Sequence, residues 1–91
     1  MEIAFQIPRI LQPYAEGKLE LRLCGQTVGG VLEELQRDYP LLYRCICNET
    51  GTVRQHINLF VNNSVLKDRT DLSAPLTSGD IVSVFQAVSG G

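Results

Sequence analysis

The segment Lys18–Leu23 alternates strictly between charged residues and leucine. Because successive side chains of a β-strand point to opposite faces, this pattern predicts a strand with its leucines in the core and its charges in water. The segment Glu2–Ile7 has the same period, and Pro8 ends it because proline cannot donate a hydrogen bond to a neighbouring strand. We therefore expect the two segments to pair as a hairpin across a loop over residues 8–17, with these inward side chains: Ile3, Phe5, Ile7, Leu19, Leu21 and Leu23.

A helical period follows Thr27, a residue type that favours the helix N-cap. Apolar residues recur at helical spacing after it, and Tyr39-Pro40 ends the pattern because the residue before proline disfavours helical backbone. Gly29 and Gly30 weaken the first turn, or permit close approach to the sheet. The predicted apolar stripe consists of Val28, Val31, Leu32 and Leu35.

The second half of the chain carries shorter signals of both kinds. They predict a helical turn after Pro40 and three strands, Ile57–Val61, Ser64–Leu66 and Ile81–Phe85. Turns are predicted at Asn48–Gly51, Asn62-Asn63 and Ser78–Asp80. Leu72 and Leu76 are expected to anchor a loop or a single turn to the core. The chain is thus expected to be an α+β domain, a mixed sheet of four to five strands packed on one main helix.

Composition excludes several classes of protein. The 91 residues allow one small domain, and a net charge of -2 without basic clusters gives no support to nucleic-acid binding. No apolar run reaches the ~18 residues of a membrane span, and the first residues do not resemble a secretory signal, so we expect a cytoplasmic protein. The chain has a single histidine and no tryptophan, so it offers few side chains for a self-contained active site. This composition favours a carrier or partner role over that of an enzyme.

The sequence ends in an uncharged segment that closes with Gly90-Gly91. Glycine lacks a Cβ, so such an end can thread a narrow channel, and the six residues from Gln86 reach about 20 Å when extended. The terminal carboxylate can therefore enter a partner's active site, although it needs activation, for example by adenylation, to react as an electrophile. An inert end or a cloning remnant is the alternative. We expect residues 1–86 to form the domain and residues 87–91 to form a flexible tail.

The ordered elements and the tail together resemble the MoaD/ThiS group of β-grasp sulfur carriers, relatives of ubiquitin. The matching features span nearly the whole chain: the Thr27-Val28 helix start with Leu32 and Leu35, Val61-Asn62, Leu76 before Ser78-Gly79-Asp80, and Ala87-Val88-Ser89-Gly90-Gly91. The length and the ending are most similar to the CysO-like carriers, which supply sulfur for cysteine synthesis. Gln86 and Ala87 stand where family members often have proline.

The resemblance implies a β-grasp fold and a carrier that is not an enzyme. Gly91 would carry the adenylate and then the thiocarboxylate, and Gly90 would provide clearance. The implied partners are an ATP-dependent activating enzyme and a sulfur-accepting enzyme of cysteine, molybdopterin or thiazole synthesis. The carrier would bind no cofactor, because ATP is used by the activating partner. When free, it would be a monomer. The alternatives are a ubiquitin-like modifier joined through Gly91, the small subunit of molybdopterin synthase, and a β-grasp interaction module with an inert tail.

An apolar patch on the open face of the sheet is the second candidate site. If Leu59 and Val84 face the helix, Phe60, Ile81 and Phe85 point outward and form a docking surface, which the resemblance also implies. The alternative is the reverse orientation of the last strand, with Phe85 inside. Val88 is a candidate anchor in the same contact.

The three cysteines, Cys24, Cys45 and Cys47, are expected to be reduced thiols without a metal. A Cys-x-Cys pair followed by His56 lacks the usual spacing of a zinc site. An odd number of cysteines without a signal peptide is typical of a reducing compartment.

Overall fold

The structure, a computed structural model, describes residues 2–66, 68, 70 and 72–86. Its elements are β1 (Glu2–Gln6), a 3-10 helix (Arg9–Ala15), β2 (Glu20–Cys24), α1 (Val28–Asp38), α2 (Pro40–Ile46), β3 (Ile57–Val61), β4 (Ser64–Val65) and β5 (Ile81–Gln86). The strands form one sheet in the order β2-β1-β5-β3-β4. The predicted α+β architecture, with a mixed sheet on one main helix, is confirmed.

The sheet is mixed because the central strand β5 runs parallel to one neighbour, β1, and antiparallel to the other, β3. β1 and β5 pair in parallel, whereas β1–β2, β3–β5 and β3–β4 pair in antiparallel register. The predicted hairpin of β1 and β2 is confirmed, with Ile3 opposite Leu23 and Phe5 opposite Leu21. This topology places the end of β5 in the middle of the sheet rather than at an edge.

The helix α1 begins and ends where the sequence predicts. Thr27 is the N-cap, and its Oγ1 accepts a 3.0 Å hydrogen bond from the backbone N–H of Gly30. Pro40 then starts α2 at its first position, as its fixed φ favours. All four residues of the predicted apolar stripe are buried: Val28, Val31, Leu32 and Leu35.

Three expectations about the first half of the chain are wrong. Residues 8–17 are not simply a loop, because Arg9–Ala15 forms a 3-10 helix that buries Leu11 and Ala15. Leu19 precedes β2 and remains 39% exposed, so only two of the three predicted leucines reach the core. Gly29 approaches the segment at Leu72 rather than the sheet, with its N–H 2.8 Å from the Leu72 carbonyl oxygen.

The second half follows the predicted order closely. Asn62 adopts a positive φ of 55° in the turn between β3 and β4, as the asparagine pair predicts. The return strand β4 ends at Val65, one residue earlier than expected, and β5 extends one residue further, to Gln86. The boundary between the domain and the tail 87–91 lies outside the described residues.

Candidate functional site

The aromatic residues of β3 and β5 lie on the open face of the sheet. Val82 and Val84 are buried on the helix side, whereas Ile81 and Phe85 are 37% and 54% exposed. The opposite orientation of the last strand is therefore excluded. Phe60 is half-buried on β3, and its ring meets that of Phe85 edge-to-face, with centroids 5.2 Å apart and planes at 86°. The structure thus brings together three predicted docking residues, here called the open-face patch: Phe60, Ile81 and Phe85.

Charged side chains flank this patch at the edge strand β2. Arg22 lies 3.8 Å from Glu2 and 3.6 Å from Glu20, measured between side-chain nitrogen and oxygen atoms. All three side chains are well exposed, so these ion pairs contribute little to stability. They give the open face an apolar half over β5 and β3 and a charged half over β2.

A network of hydrogen bonds fixes the start of β5 and thereby the orientation of the patch. The Asn62 side chain accepts from the backbone N–H of Ile81 at 3.1 Å and donates to Asp80 at 3.3 Å. The other carboxylate oxygen of Asp80 accepts from the backbone N–H of Thr77 at 2.9 Å. Because these donors favour the ionised form, first the Thr77 N–H and then Asn62, the pKa of Asp80 is lowered from its ordinary value.

The other end of β5 opens into a groove that sequence reasoning missed. Gln86, the last described residue, pairs with Ile57 and lines a groove of about 320 Å³. The remaining lining residues are Ile10, Leu11, Tyr14, Cys45, Arg54 and His56. The available signal was the pair of large side chains at Ile10 and Tyr14 inside a presumed loop. Of the predicted site residues, Val88, Gly90 and Gly91 lie outside the described residues.

The three cysteines lie in different environments. Cys24 is exposed, Cys45 is half-buried and Cys47 is buried. Burial raises the pKa of Cys47 to about 11, although a hydrogen bond with Tyr43 opposes part of that shift. Cys47 therefore stays a thiol at neutral pH and is a poor nucleophile, even though it borders a surface cavity of about 660 Å³.

Neither a metal centre nor a membrane span emerges from the described part of the chain. Within residues 2–66, 68, 70 and 72–86, three or more histidine, cysteine or acidic side chains nowhere cluster in a way that could hold a metal ion. Across the same residues, every helix is too short or too polar to cross a bilayer.

Comparison with known proteins gives a consistent result along the whole chain. A family model described as the ThiS family matches residues 5–91. The sulfur carrier protein CysO of Mycobacterium tuberculosis is 27% identical over 93 residues, which cover all of both chains. Its crystal structure superposes with a TM-score of 0.83 at 25% identity, covering 94% of this chain and 99% of that one.

Two further proteins are similar to this chain. Small archaeal modifier protein 3 of Haloferax volcanii is 39% identical over 66 residues, covering 71% of this chain and 70% of its own length. A crystal structure of the Amycolatopsis orientalis BexX/CysO complex superposes with a TM-score of 0.85. At 24% identity, with 98% of this chain and 99% of that chain covered, this last likeness shows a shared fold.

Proposed function

The chain belongs to the ThiS family of β-grasp sulfur carriers, and from that premise we propose that its reactive group is the carboxylate of Gly91. An ATP-dependent activating enzyme adenylates this carboxylate, and a sulfur donor then displaces AMP to leave a thiocarboxylate. The carrier itself supplies no catalytic side chain and binds no cofactor. ATP is used by the partner. The proposed location of the carrier is the cytoplasm.

The family match that extends through residue 91 is the observation that carries this proposal. It includes both terminal glycines, which lack a Cβ and suit a narrow active-site channel. Gly91 is the fifth residue after Gln86, so it lies at most about 18 Å from Gln86 along the extended chain. The active site that receives Gly91 must therefore lie within that distance of the end of β5.

The open-face patch is the proposed contact with partner enzymes. Phe85 is adjacent to the last residue of β5, so an enzyme that takes the tail approaches this side chain. Exposed aromatic residues contribute strongly to interfaces, because they bury a large area at a small cost in side-chain entropy. The similarity to CysO, a sulfur carrier, supports sulfur transfer to an acceptor enzyme. The resemblance to the CysO-like carriers favours an enzyme of cysteine synthesis as that acceptor.

Intact mass spectrometry tests the proposal. The protein ending at Gly91 is incubated with ATP, a sulfur source and the activating enzyme of its source organism. We expect the mass gain of one oxygen-to-sulfur exchange, and no gain without ATP or after deletion of Gly91. The deletion variant should retain the circular dichroism and thermal midpoint of the parent, since the last strand of the described fold ends at Gln86. Absence of charging with an activating enzyme that charges another carrier would contradict the proposal.

Conjugation to other proteins is the second candidate function. The 39% identity to an archaeal modifier protein favours it. Both functions begin with the same acyl-adenylate, but a modifier transfers its terminal glycine to a lysine amine. Lysine-linked adducts carrying the Gly90-Gly91 remnant on other proteins would support conjugation, whereas a free thiocarboxylate alone would support sulfur transfer.

A further inference from the structure

We propose that an apolar ridge beside the end of β5 is a second docking surface, and that it contacts the ATP-dependent activating enzyme. The ridge consists of Ile10 and Tyr14 on the 3-10 helix and Leu41 on α2, and is called the Tyr14 ridge below. The inference rests on the proposed function, since it concerns the enzyme that adenylates Gly91. The ridge is distinct from the open-face patch, which lies on the strands.

The exposure of the ridge is unusual for apolar side chains. Ile10 is 65% exposed, Leu41 63% and Tyr14 45%. Ile10 and Leu41 are the most exposed large hydrophobic side chains in the part of the chain that the structure describes. Clustered apolar exposure of this kind is typical of a surface that another protein covers.

Two grooves meet at Tyr14 and make the ridge continuous. The groove that Gln86 lines contains Ile10 and Tyr14. A second groove of about 220 Å³ lies between the 3-10 helix and the start of α2, and it contains Tyr14 and Leu41. A partner surface can therefore contact all three side chains without crossing the sheet.

The position of the terminal glycine brings the activating enzyme to this ridge. Gln86 lines the same groove as Tyr14, and Gly91 is at most about 18 Å of extended chain beyond it. An enzyme is much larger than that distance, so its surface around the active-site entrance must cover residues that surround Gln86. The Tyr14 ridge lies in that area.

The charges of the groove indicate the chemistry of the contacting surface. Arg54 and His56 line the groove beside Gln86, and none of its lining side chains is a carboxylate. The Arg54 Nε also donates to the Arg44 carbonyl oxygen at 2.8 Å, which holds the guanidinium group in place. The second groove is instead lined by the carboxylates of Glu16 and Asp38. The proposed partner surface therefore has apolar side chains over the ridge, acidic side chains facing Arg54 and basic or neutral side chains facing the second groove.

The activating enzyme is the partner that most needs such a surface. Every protein chain ends in a carboxylate, so this enzyme cannot select its substrate by the reactive group. A sulfur-accepting enzyme instead receives a thiocarboxylate, a group that other protein termini lack. Selection before adenylation therefore depends on the folded surface near the tail.

Kinetics of charging test the ridge. The variant Tyr14→Ser/Leu41→Ser removes two exposed side chains. Glu33→Ser is the surface control, because Glu33 is exposed on α1 and lines neither groove of the ridge. We expect the double variant to raise the KM for the carrier about tenfold, with kcat little changed, because the lost contacts form on binding. Glu33→Ser should behave as the parent, and circular dichroism confirms that each variant folds.

Three outcomes would overturn the inference. They are an unchanged KM in the double variant, an equal loss in Glu33→Ser, and a loss that appears only when the charged carrier meets its sulfur acceptor. If the parent protein is not charged at all, the proposed function fails instead. In that case, calorimetry still tests the inference by measuring how tightly the activating enzyme binds the parent and the double variant. A tenfold weaker affinity of the double variant supports the ridge as a docking surface, and equal affinities overturn it.

Discussion

At the residue scale, two glycines at the start of α1 differ in what surrounds them. A Cβ built on Gly25 would lie 2.6 Å from the Val31 nitrogen and 2.8 Å from Val31 Cγ2, so the helix and the chain before it touch through bare backbone. A Cβ on Gly30 would meet Thr27 Oγ1 at 3.5 Å, an ordinary contact. Gly30 therefore lies where alanine fits and helix propensity favours it.

We expect opposite effects from the two alanine substitutions. Gly25→Ala should lower the free energy of unfolding by about 1–3 kcal/mol, because backbone must move to accept the methyl group. Gly30→Ala should raise it by about 0.5–1 kcal/mol, because alanine has a higher helix propensity than glycine and its methyl group fits at this half-buried position. Urea denaturation of the two variants beside the parent measures both changes. Equal destabilisation would show that both Gly25, before the N-cap, and Gly30, in the first turn of α1, must be glycine.

At the element scale, strands were predictable wherever side chains alternate, because a one-residue shift would expose the whole apolar set. The helix α1 was predictable from its cap at Thr27 and its stripe. The 3-10 helix was not predictable, because Pro8 and Pro13 are typical of a loop. Leu11 and Ala15 are buried in the folded chain, where the 3-10 helix packs against α2. The groove beside Gln86 was hidden for the same reason, since it forms between elements distant in sequence.

The open-face patch gives an element-scale prediction from adjacent residues of β3. Phe60 is half-buried on the open face, whereas Leu59 is 1% exposed in the core. We expect Phe60→Ser to weaken binding to a partner enzyme about tenfold while costing roughly 1–2 kcal/mol of stability, part of it from the ring contact with Phe85. Leu59→Ser should instead cost several kcal/mol, because it places a hydroxyl in the core and leaves a cavity.

Calorimetric titration and thermal unfolding separate these effects. Glu33→Ser is a suitable surface control, because Glu33 is exposed on α1, on the other side of the sheet. A large stability loss in Phe60→Ser would place this ring in the structural core. Unchanged binding in a folded Phe60→Ser variant would remove the patch from the interface.

At the scale of the whole molecule, the tail sequence limits how far the terminal carboxylate can lie from the proposed docking surfaces. Phe85 of the open-face patch and the groove of the Tyr14 ridge both lie at the end of β5, and the sequence from Gln86 to Gly91 sets how far the reactive group can extend beyond them. Binding on the folded surface holds the carboxylate at the activating enzyme's nucleotide, so its geometry contributes to the rate. Tail length should therefore affect catalysis more than affinity.

Insertion of Ser-Gly between Gln86 and Ala87 tests this coupling. We expect the inserted variant to bind the activating enzyme within about twofold of the parent affinity, since both surfaces are intact, and its kcat for charging to fall at least about tenfold. The same two residues inserted into the exposed turn at Asn48–Gly51 are the control, and charging of that variant should be unchanged. Single-turnover charging and calorimetric titration measure the two quantities. An equal loss of affinity and rate in the tail variant would mean that the tail itself provides most of the binding energy, and that the folded surfaces contribute little.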